Sequence, residues 1–289
     1  MRNLYEPFFG FHEKPFSLAP DPRFLFPGRS HATALAMLEY GLGEPAGFVV
    51  LTGGSGTGKT LLLRHLVQSL GEAVMPAMVT SPPAAGDLVP WLLLAFGLDG
   101  EAADPVGRHQ RLLDHLRRLE AQGRRALLIV DEAQNLDEAA LQRLRLLAGA
   151  AVEAACPLQL VLAGQPGLRR TLQRPSLESF VQRIAADGHL RPLERRDTLA
   201  YIRHRLEVAG GDPDLFDREA ALAVHHFARG VPRLINGLCD LALVLTYAQD
   251  RPRVELATVV EAALARLEGG LSGLAPVPWR DGALRSGKA

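Results

Sequence analysis

The stretch GGSGTGKT at residues 53–60 has the composition and spacing of a loop that binds phosphate groups. Gly53, Gly58, Lys59 and Thr60 occupy the defining positions of the pattern G-x-x-x-x-G-K-[S/T]. Glycines let backbone N–H groups close around phosphate oxygens, and the amino end of a following helix favours negative charge. The other predicted nucleotide-binding residues of the stretch are Gly54, Ser55, Gly56, Thr57 and Leu61. The pattern predicts a site for a nucleoside triphosphate.

Two side chains of this loop are predicted to contact the nucleotide and its metal ion. Lys59 is one of only three lysines among the 32 basic residues, so its position calls for an explanation. A compact ammonium group that reaches the β- and γ-phosphates suits this position better than a planar guanidinium. Thr60 offers a hydroxyl oxygen to Mg²⁺. ATP and Mg²⁺ are therefore the expected ligands.

Two carboxylates follow an apolar run in LLIVDEAQNL, residues 127–136. Asp131 is predicted to hold Mg²⁺ through water, and Glu132 to polarise the water that attacks the γ-phosphate. A buried strand would place both at the carboxyl edge of a sheet, where ligands bind in folds of this class. The spacing from the phosphate loop predicts that the two strands are not neighbours. The alternative interpretation is that Asp131 and Glu132 are acidic residues that end a strand in solvent and have no role in catalysis.

Gln165 ends another apolar run, in LAGQP at 162–166. At the end of a strand between the loop and the acids, its side chain would respond to the γ-phosphate. The competing interpretation is a turn, because Gly-Gln-Pro interrupts regular structure.

The elements that position these residues are indicated by apolar periodicity. Strands are predicted at 47–53, 74–79, 124–132 and 157–164, with helices between them. Such alternation predicts an α/β domain whose parallel sheet is covered by helices on both faces. From about Pro192 only helical patterns remain, at 195–209, 217–228, 232–247 and 255–267. We therefore expect an N-terminal segment at 1–46, an α/β domain at 47–191, a helical domain at 192–268 and a flexible tail at 269–289.

Composition excludes several classes of function. The chain has 289 residues, and its 32 acidic residues balance its 32 basic ones, so it has no surface-wide basic field for coating nucleic acid or anionic lipid. Two cysteines provide neither a disulfide framework nor a metal motif, which fits a reducing compartment. The longest apolar runs, such as Leu88–Leu98, reach about half the length of a membrane span. A cytoplasmic protein is the expectation.

The order of these motifs resembles that of the AAA+ P-loop ATPases, in which a helical lid follows the α/β domain. The resemblance is closest to the general secretion pathway protein A (ExeA) type. Its matching pieces cover roughly residues 4–268 in family order and include YEPFFGF, GFVVLTGGSGTGKT, LIVDEAQNL, LAGQP, HLRPL and GVPRLINGLCDLALVLTYA.

This resemblance implies roles for two arginines. Arg233, in GVPR at the start of a lid helix, matches the position whose guanidinium reaches the nucleotide and couples hydrolysis to lid movement. Arg183, in SFVQRI, lies where such proteins place an arginine finger that acts on a neighbouring subunit. Arg174 is the alternative candidate for the finger.

The resemblance also implies a cellular role. The family supplies ATP-driven, oligomeric machinery for envelope assembly, including type II secretion, pilus biogenesis and polysaccharide loci linked to exosortase. Expected partners are further copies of the chain and envelope-assembly or secretion proteins. Larger members continue through a membrane span into a peptidoglycan-binding domain. The sequence has neither pattern, so the expectation is a stand-alone cytoplasmic ATPase that meets the inner membrane only through partners.

Two other functions compete with this interpretation. The same AAA+ branch resembles transposition ATPases, which form filaments on DNA. In this sequence, the window 167–205 holds nine arginines against four acidic residues, which could line a DNA-binding pore. Overall neutrality weighs against a nucleic-acid partner. A nucleotide switch that barely hydrolyses ATP is the third possibility, and Glu132 argues against it because a pure switch does not need a base.

The N-terminal segment concentrates aromatic residues on a chain that cannot be regular. Its stretch 4–26 contains six of the 11 phenylalanines, at positions 8, 9, 11, 16, 24 and 26, together with four prolines. We expect it to lie across the rim of the nucleotide-binding domain and to contact the next subunit. Pro20, Pro22 and His31, with Asp21, are the predicted contacts of the adenine base.

Overall fold

The computed structural model describes residues 5–44, 47–83, 86–98, 104–268 and 273–274. The chain forms two compact units. The first, called here the sheet unit, comprises Ser30–Ser55 and Leu62–Leu190. The second, the helical unit, comprises Met1–Arg29, Gly56–Leu61 and Arg191–Ala289.

The sheet unit is built on five parallel strands. They are β1 (Phe48–Gly53), β2 (Val74–Thr80), β3 (Arg125–Asp131), β4 (Leu158–Gly164) and β5 (Ile184–Leu190), in the order β2-β3-β4-β1-β5. Every residue of β1 and β4 is buried, as expected for strands covered on both faces. β4 separates β1 from β3, which confirms that these two strands are not neighbours. The predicted α/β fold with a parallel sheet is confirmed.

In the described part of the chain up to β5, seven helices precede or connect these strands. They are α1 (Arg29–Gly43), α2 (Lys59–Ser69), α3 (Val89–Ala95), α4 (Pro105–Ala121), α5 (Glu138–Glu153), α6 (Pro166–Leu172) and α7 (Glu178–Val181). Short 3₁₀ turns occupy Pro22–Phe24, Ala133–Asn135 and Pro175–Leu177. Asp104 and Asp137 cap α4 and α5 by accepting backbone N–H groups at 2.8 and 2.6 Å.

The helical unit contains α8 (Arg195–Val208), α9 (Arg218–Ala228), α10 (Pro232–Ala248) and α11 (Leu256–Glu268). These elements confirm the four helices predicted after Pro192. Among the described residues, no helix has the length and apolar character that crossing a membrane requires. Cys156 and Cys239 are both buried free thiols.

A close backbone contact fixes the entry to α10. Gly230 has a φ of +71°, and a Cβ atom on it would lie 2.0 Å from the carbonyl oxygen of Leu193. The two residues are also joined by a hydrogen bond of 2.8 Å from Leu193 N–H to the Gly230 carbonyl. The GVPR turn therefore requires glycine at 230 for both its conformation and its contact distance.

The aromatic N-terminal segment is irregular, as expected, and most of its rings pack into the core of the helical unit. Tyr5, Phe11, Phe16 and Phe24 are all buried there with residues of α8–α11. The physical reason is that rings on an irregular chain fill hollows between helices that a regular element would not reach. The predicted place of the segment at the rim of the nucleotide-binding domain stays a prediction.

A buried arginine ties this segment to the helices. Arg205 of α8 is only 4% exposed, and it donates hydrogen bonds to the carbonyl oxygens of Pro15 and Ser17 and to the Tyr201 hydroxyl. Its guanidinium carbon lies 4.6 Å from the centre of the Phe24 ring. Burial raises the pKa of the Tyr201 hydroxyl, which stays protonated and donates to Asn236. Because Arg205 stays charged, its burial depends on these partners remaining in place.

We expect Arg205→Met to lower the free energy of unfolding by about 2–3 kcal/mol, since it removes charged hydrogen-bond donors from buried carbonyl oxygens. Urea unfolding of the purified variant measures this change. Arg203→Met is the matched control on the same helix, because Arg203 is 53% exposed and pairs with Asp214 at the surface. The control should cost less than about 1 kcal/mol. Equal losses in the two variants would contradict a structural role for Arg205.

Candidate functional site

The glycine-rich loop begins where β1 ends and runs directly into α2. Gly56 and Gly58 have φ values of +76° and +100°, a backbone region that side chains disfavour. When left-handed residues alternate with other backbone conformations in this way, successive N–H groups can face one anion. Thr57 and Lys59 are buried, at 1% and 5% exposure, and Lys59 is the first residue of α2. These conformations suit the phosphate-binding role that the sequence predicts, and that role stays a prediction.

Arg233 meets this loop through its backbone. Its N–H donates to the carbonyl oxygen of Gly56 at 3.2 Å. A Cβ atom on Gly56 would lie 2.7 Å from the Cβ of Arg233 and 3.3 Å from a methyl carbon of Val231. Gly56 is thus required for its conformation and for the approach of α10. Sequence reasoning linked Arg233 to the nucleotide but missed this backbone contact.

The two predicted acids stand at a sharp turn where β3 ends. Asp131 is fully buried and lies in register with Thr80 of β2. Glu132 is half-buried and adopts a left-handed conformation, with φ +54° and ψ +36°. Its N–H donates to Asp131 Oδ1 at 2.9 Å. A left-handed residue other than glycine costs roughly 1–3 kcal/mol, so the turn stores strain at the predicted base.

Gln134 is a residue that sequence reasoning missed. Its side-chain amide donates through Nε2 to the Glu132 carboxylate and accepts the Gln165 N–H through Oε1 at 2.8 Å. A Cβ atom on Gly164 would lie only 2.9 Å from the same Oε1 atom. The signal available in the sequence was an amide two residues after the predicted base. Gln134 therefore joins the end of β3 to the end of β4.

Gln165 follows the last residue of β4 and is the N-cap residue of α6. β4 lies between β3 and β1 in the sheet. Its side chain is exposed, while its N–H is bound by Gln134. The structure thus brings Gln165 and Glu132 to the same edge of the sheet through one intervening amide. Its predicted response to the γ-phosphate stays a prediction.

A second polar network fixes the end of β1. Arg169 Nε donates to the buried Thr52 hydroxyl at 2.9 Å, and its Nη2 donates to Asp187 at 2.7 Å. Thr52 Oγ1 also lies 2.9 Å from His189 Nδ1. Thr52 immediately precedes Gly53, so the network stabilises the strand end from which the glycine-rich loop starts.

Arg183 lies at the amino-terminal end of the strands, opposite the edge at which β1 and β3 end. Its carbonyl oxygen accepts the N–H of Phe48, the first residue of β1, at 3.0 Å. A six-residue strand places this amino-terminal end about 16 Å from Gly53, the last residue of β1. The guanidinium lies over α5, where a Cβ on Gly149 would be 3.6 Å from Nη1. The structure does not bring Arg183 together with the end of β1.

Arg174, the alternative finger, is engaged at the surface. Its Nη1 lies 3.1 Å from Glu138 Oε2. A hydrogen bond from Ser176 and the neighbouring Arg174 lower the pKa of the Glu138 carboxyl. This ion pair gives Arg174 a local structural partner.

The predicted adenine contacts fall in different units. Pro20 and Pro22 belong to the helical unit, beside the 3₁₀ turn that Asp21 caps. His31 is buried in α1, within the sheet unit. Their role at the base stays a prediction.

The oxygen atoms offered by Thr60 and Asp131 suit Mg²⁺. This ion prefers hard oxygen ligands and keeps several waters when it binds beside phosphates. In the part of the chain that the structure describes, no group of three or more His, Cys, Asp or Glu residues forms a separate metal centre. A hydroxyl oxygen and a carboxylate oxygen are each ligand types that a magnesium ion accepts beside a nucleotide.

Comparison with known proteins finds similarity over most of the chain. A family model described as an AAA domain matches residues 43–172. General secretion pathway protein A of Aeromonas hydrophila is 40% identical over 254 residues, which are 87% of this chain and 46% of that protein. The chain thus spans a little less than half the length of this relative.

Solved structures show the same fold. The Aeropyrum pernix ORC2 protein, in its ADPNP-ADP complexes, has a TM-score of 0.66 and 19% identity over 93% of this chain and 73% of its own. The Thermotoga maritima RuvB Holliday junction branch migration motor has a TM-score of 0.53 and 18% identity over 82% of this chain and 67% of its own. The chain therefore has the fold of the AAA+ P-loop NTPases, and over 87% of its length it is similar to general secretion pathway protein A.

Proposed function

We propose that this protein binds ATP with Mg²⁺ and hydrolyses it to ADP and phosphate. The observation that carries this proposal is the edge of the sheet at which β1 ends in a loop with two left-handed glycines and β3 ends in Asp131 and Glu132. Ligands of open parallel sheets bind outside this edge. ORC2, a fold relative, is described in complexes with ADPNP and ADP, which supports an adenine nucleotide.

Each residue then has a distinct role. Lys59 and the loop N–H groups hold the phosphates, and Thr60 and Asp131 hold the metal ion. Mg²⁺ supplies neutralisation of the negative charge on the phosphoryl oxygens. Glu132 accepts a proton from the attacking water as it adds to the γ-phosphorus. Arg233, whose backbone contacts Gly56, places its guanidinium at the nucleotide.

We expect Lys59→Ala to abolish ATP binding, and Glu132→Gln to retain binding while turnover falls by about 10²–10⁴-fold through loss of the base. Titration with a fluorescent ATP analogue and a phosphate-release assay measure the two effects. Lys14→Ala is the control, since Lys14 pairs with Asp240 on the helical unit and should leave both measurements unchanged. Equally slow hydrolysis by wild type and Glu132→Gln would instead support a nucleotide switch.

We further propose that the protein acts as a homo-oligomer in which Arg183 completes the site of a neighbouring subunit. The supporting observation is its location at the amino edge of β1, a strand length from the carboxyl edge. An arginine there can act on a nucleotide only in trans. An arginine finger is typically worth about 10³–10⁵ in rate.

Mixing two inactive variants tests this arrangement. Arg183→Ala and Lys59→Ala should each lose turnover by about 10³-fold or more, whereas a mixture should regain part of it. The reason is that an intact Arg183 on a Lys59→Ala subunit serves the intact loop of its neighbour. Phosphate release at constant total protein is the measurement. Recovery with Arg174→Ala in place of Arg183→Ala, and none with Arg183→Ala, would assign the finger to Arg174.

For the cellular role, we propose a cytoplasmic ATPase that assembles or regulates an envelope system of the secretion, pilus or exopolysaccharide type. The identity with general secretion pathway protein A supports this assignment. The arginine-rich window favours DNA less than its composition suggests, because four of its arginines are already engaged. These are Arg169, Arg174 and Arg203, in ion pairs with Asp187, Glu138 and Asp214, and the buried Arg205.

Affinity capture with the Glu132→Gln variant in ATP should recover envelope-assembly or secretion components, since stalled hydrolysis prolongs the partner-bound state. The same capture with Lys59→Ala controls for contacts that do not depend on nucleotide. Recovery of transposase, or ATP-dependent duplex binding that weakens steeply with salt, would contradict the envelope role and support the DNA-associated alternative.

A further inference from the structure

We propose that Gln134 is a positioning residue for hydrolysis, which orients the Glu132 carboxylate and ties it to the end of β4. The inference rests on the proposed ATPase function. It assigns no proton transfer to Gln134, whose amide only donates one hydrogen bond and accepts another.

The orientation of the Gln134 amide follows from its partners. The Gln165 N–H can only donate, so it must face the amide oxygen, as it does at 2.8 Å. The amide nitrogen, which can only donate, then faces Oε2 of Glu132. Both ends of the side chain are therefore matched in one orientation and mismatched in the flipped one.

Glu132 needs such a partner because of where it stands. It is half-buried on a left-handed turn, and its backbone N–H is already committed to Asp131. Without a side-chain partner, its carboxylate would sample several rotamers, and most would not face a water at the γ-phosphate. The bond from Gln134 occupies Oε2 and leaves Oε1 for that water.

The end of β4 is shaped to hold this amide. A Cβ on Gly164 would approach Gln134 Oε1 to 2.9 Å and the Gln134 backbone nitrogen to 3.1 Å, so any larger residue would displace the side chain. Gln165 then supplies the bond that fixes the amide. Glu132 is thereby connected to two strands. It follows β3 directly in the chain, and it is linked to the end of β4 by the hydrogen bonds of Gln134.

The test compares two nearly isosteric variants. Gln134→Met loses both hydrogen bonds, whereas Gln134→Glu keeps an acceptor for Gln165 N–H and loses the donor to Glu132. Both should lower kcat by about 10–100-fold, the range for loss of a residue that orients a functional side chain. KM and the Kd for ATP should stay within about twofold of wild type, because the phosphate-binding loop is untouched.

The control is Gln142→Met on α5. Gln142 donates only to the Ser176 carbonyl at the surface, so this variant should retain wild-type kcat. A thermal melt of each variant separates a loss of orientation from a loss of folding. If Gln134→Met is unfolded, Gln134→Glu, which keeps the bond to β4, carries the comparison.

A double variant gives the decisive measurement. In a Glu132→Gln background, Gln134→Met should lower the residual single-turnover rate no further, because its effect passes through the Glu132 carboxylate. Additive losses would overturn the proposal, as would wild-type kcat in either single variant or an ATP affinity that falls in step with kcat. A wild-type protein without ATPase activity would refute the proposed function itself, whereas an active wild type with active Gln134 variants refutes only this inference.

Discussion

The hydrogen bond from Arg233 N–H to the Gly56 carbonyl is the contact on which much of the arrangement depends. It joins the first turn of α10 to the phosphate-binding loop at a distance that leaves no room for a side chain at 56. Any shift of α10 therefore acts directly on the backbone of this loop.

Several contacts in the helical unit hold α10 in the position from which it contacts the loop. Gly230 locks the turn before it against Leu193, and Asn236 within it accepts from Tyr201. Tyr201 in turn accepts from Arg205, which holds the carbonyls of residues 15 and 17. The aromatic N-terminal segment is thus part of the scaffold of α10. Its many phenylalanines are explained by the core of this small unit, which four helices alone leave incomplete.

The sequence predicted those features whose cause is local. Buried strands and amphipathic helices can be predicted from the periodicity of apolar residues. The loop at 53–60 can be predicted from its glycines, two of which adopt left-handed conformations in the structure. The destination of the N-terminal rings had no such signal, because an irregular segment carries no period and its packing depends on helices some 190 residues later in the chain. Gln134 was missed for a related reason. Its bonds exist only once the left-handed turn at Glu132 and the parallel neighbour β4 are formed.

That turn shows why local rules fail at a functional site. Glycine at 132 would relieve the strain of roughly 1–3 kcal/mol but would carry no carboxylate. The structure keeps glutamate there and offsets the strain with the bonds to Asp131 and Gln134. The nearby glycine is instead at 164, where the amide of Gln134 needs space and φ is ordinary. Gly164 thus relieves crowding at the end of β4, whereas Glu132 bears the strain in the turn that follows β3. Because the strained turn is held from β4, a displacement at the end of β4 would release the Glu132 carboxylate without displacing Asp131, which is the buried last residue of β3.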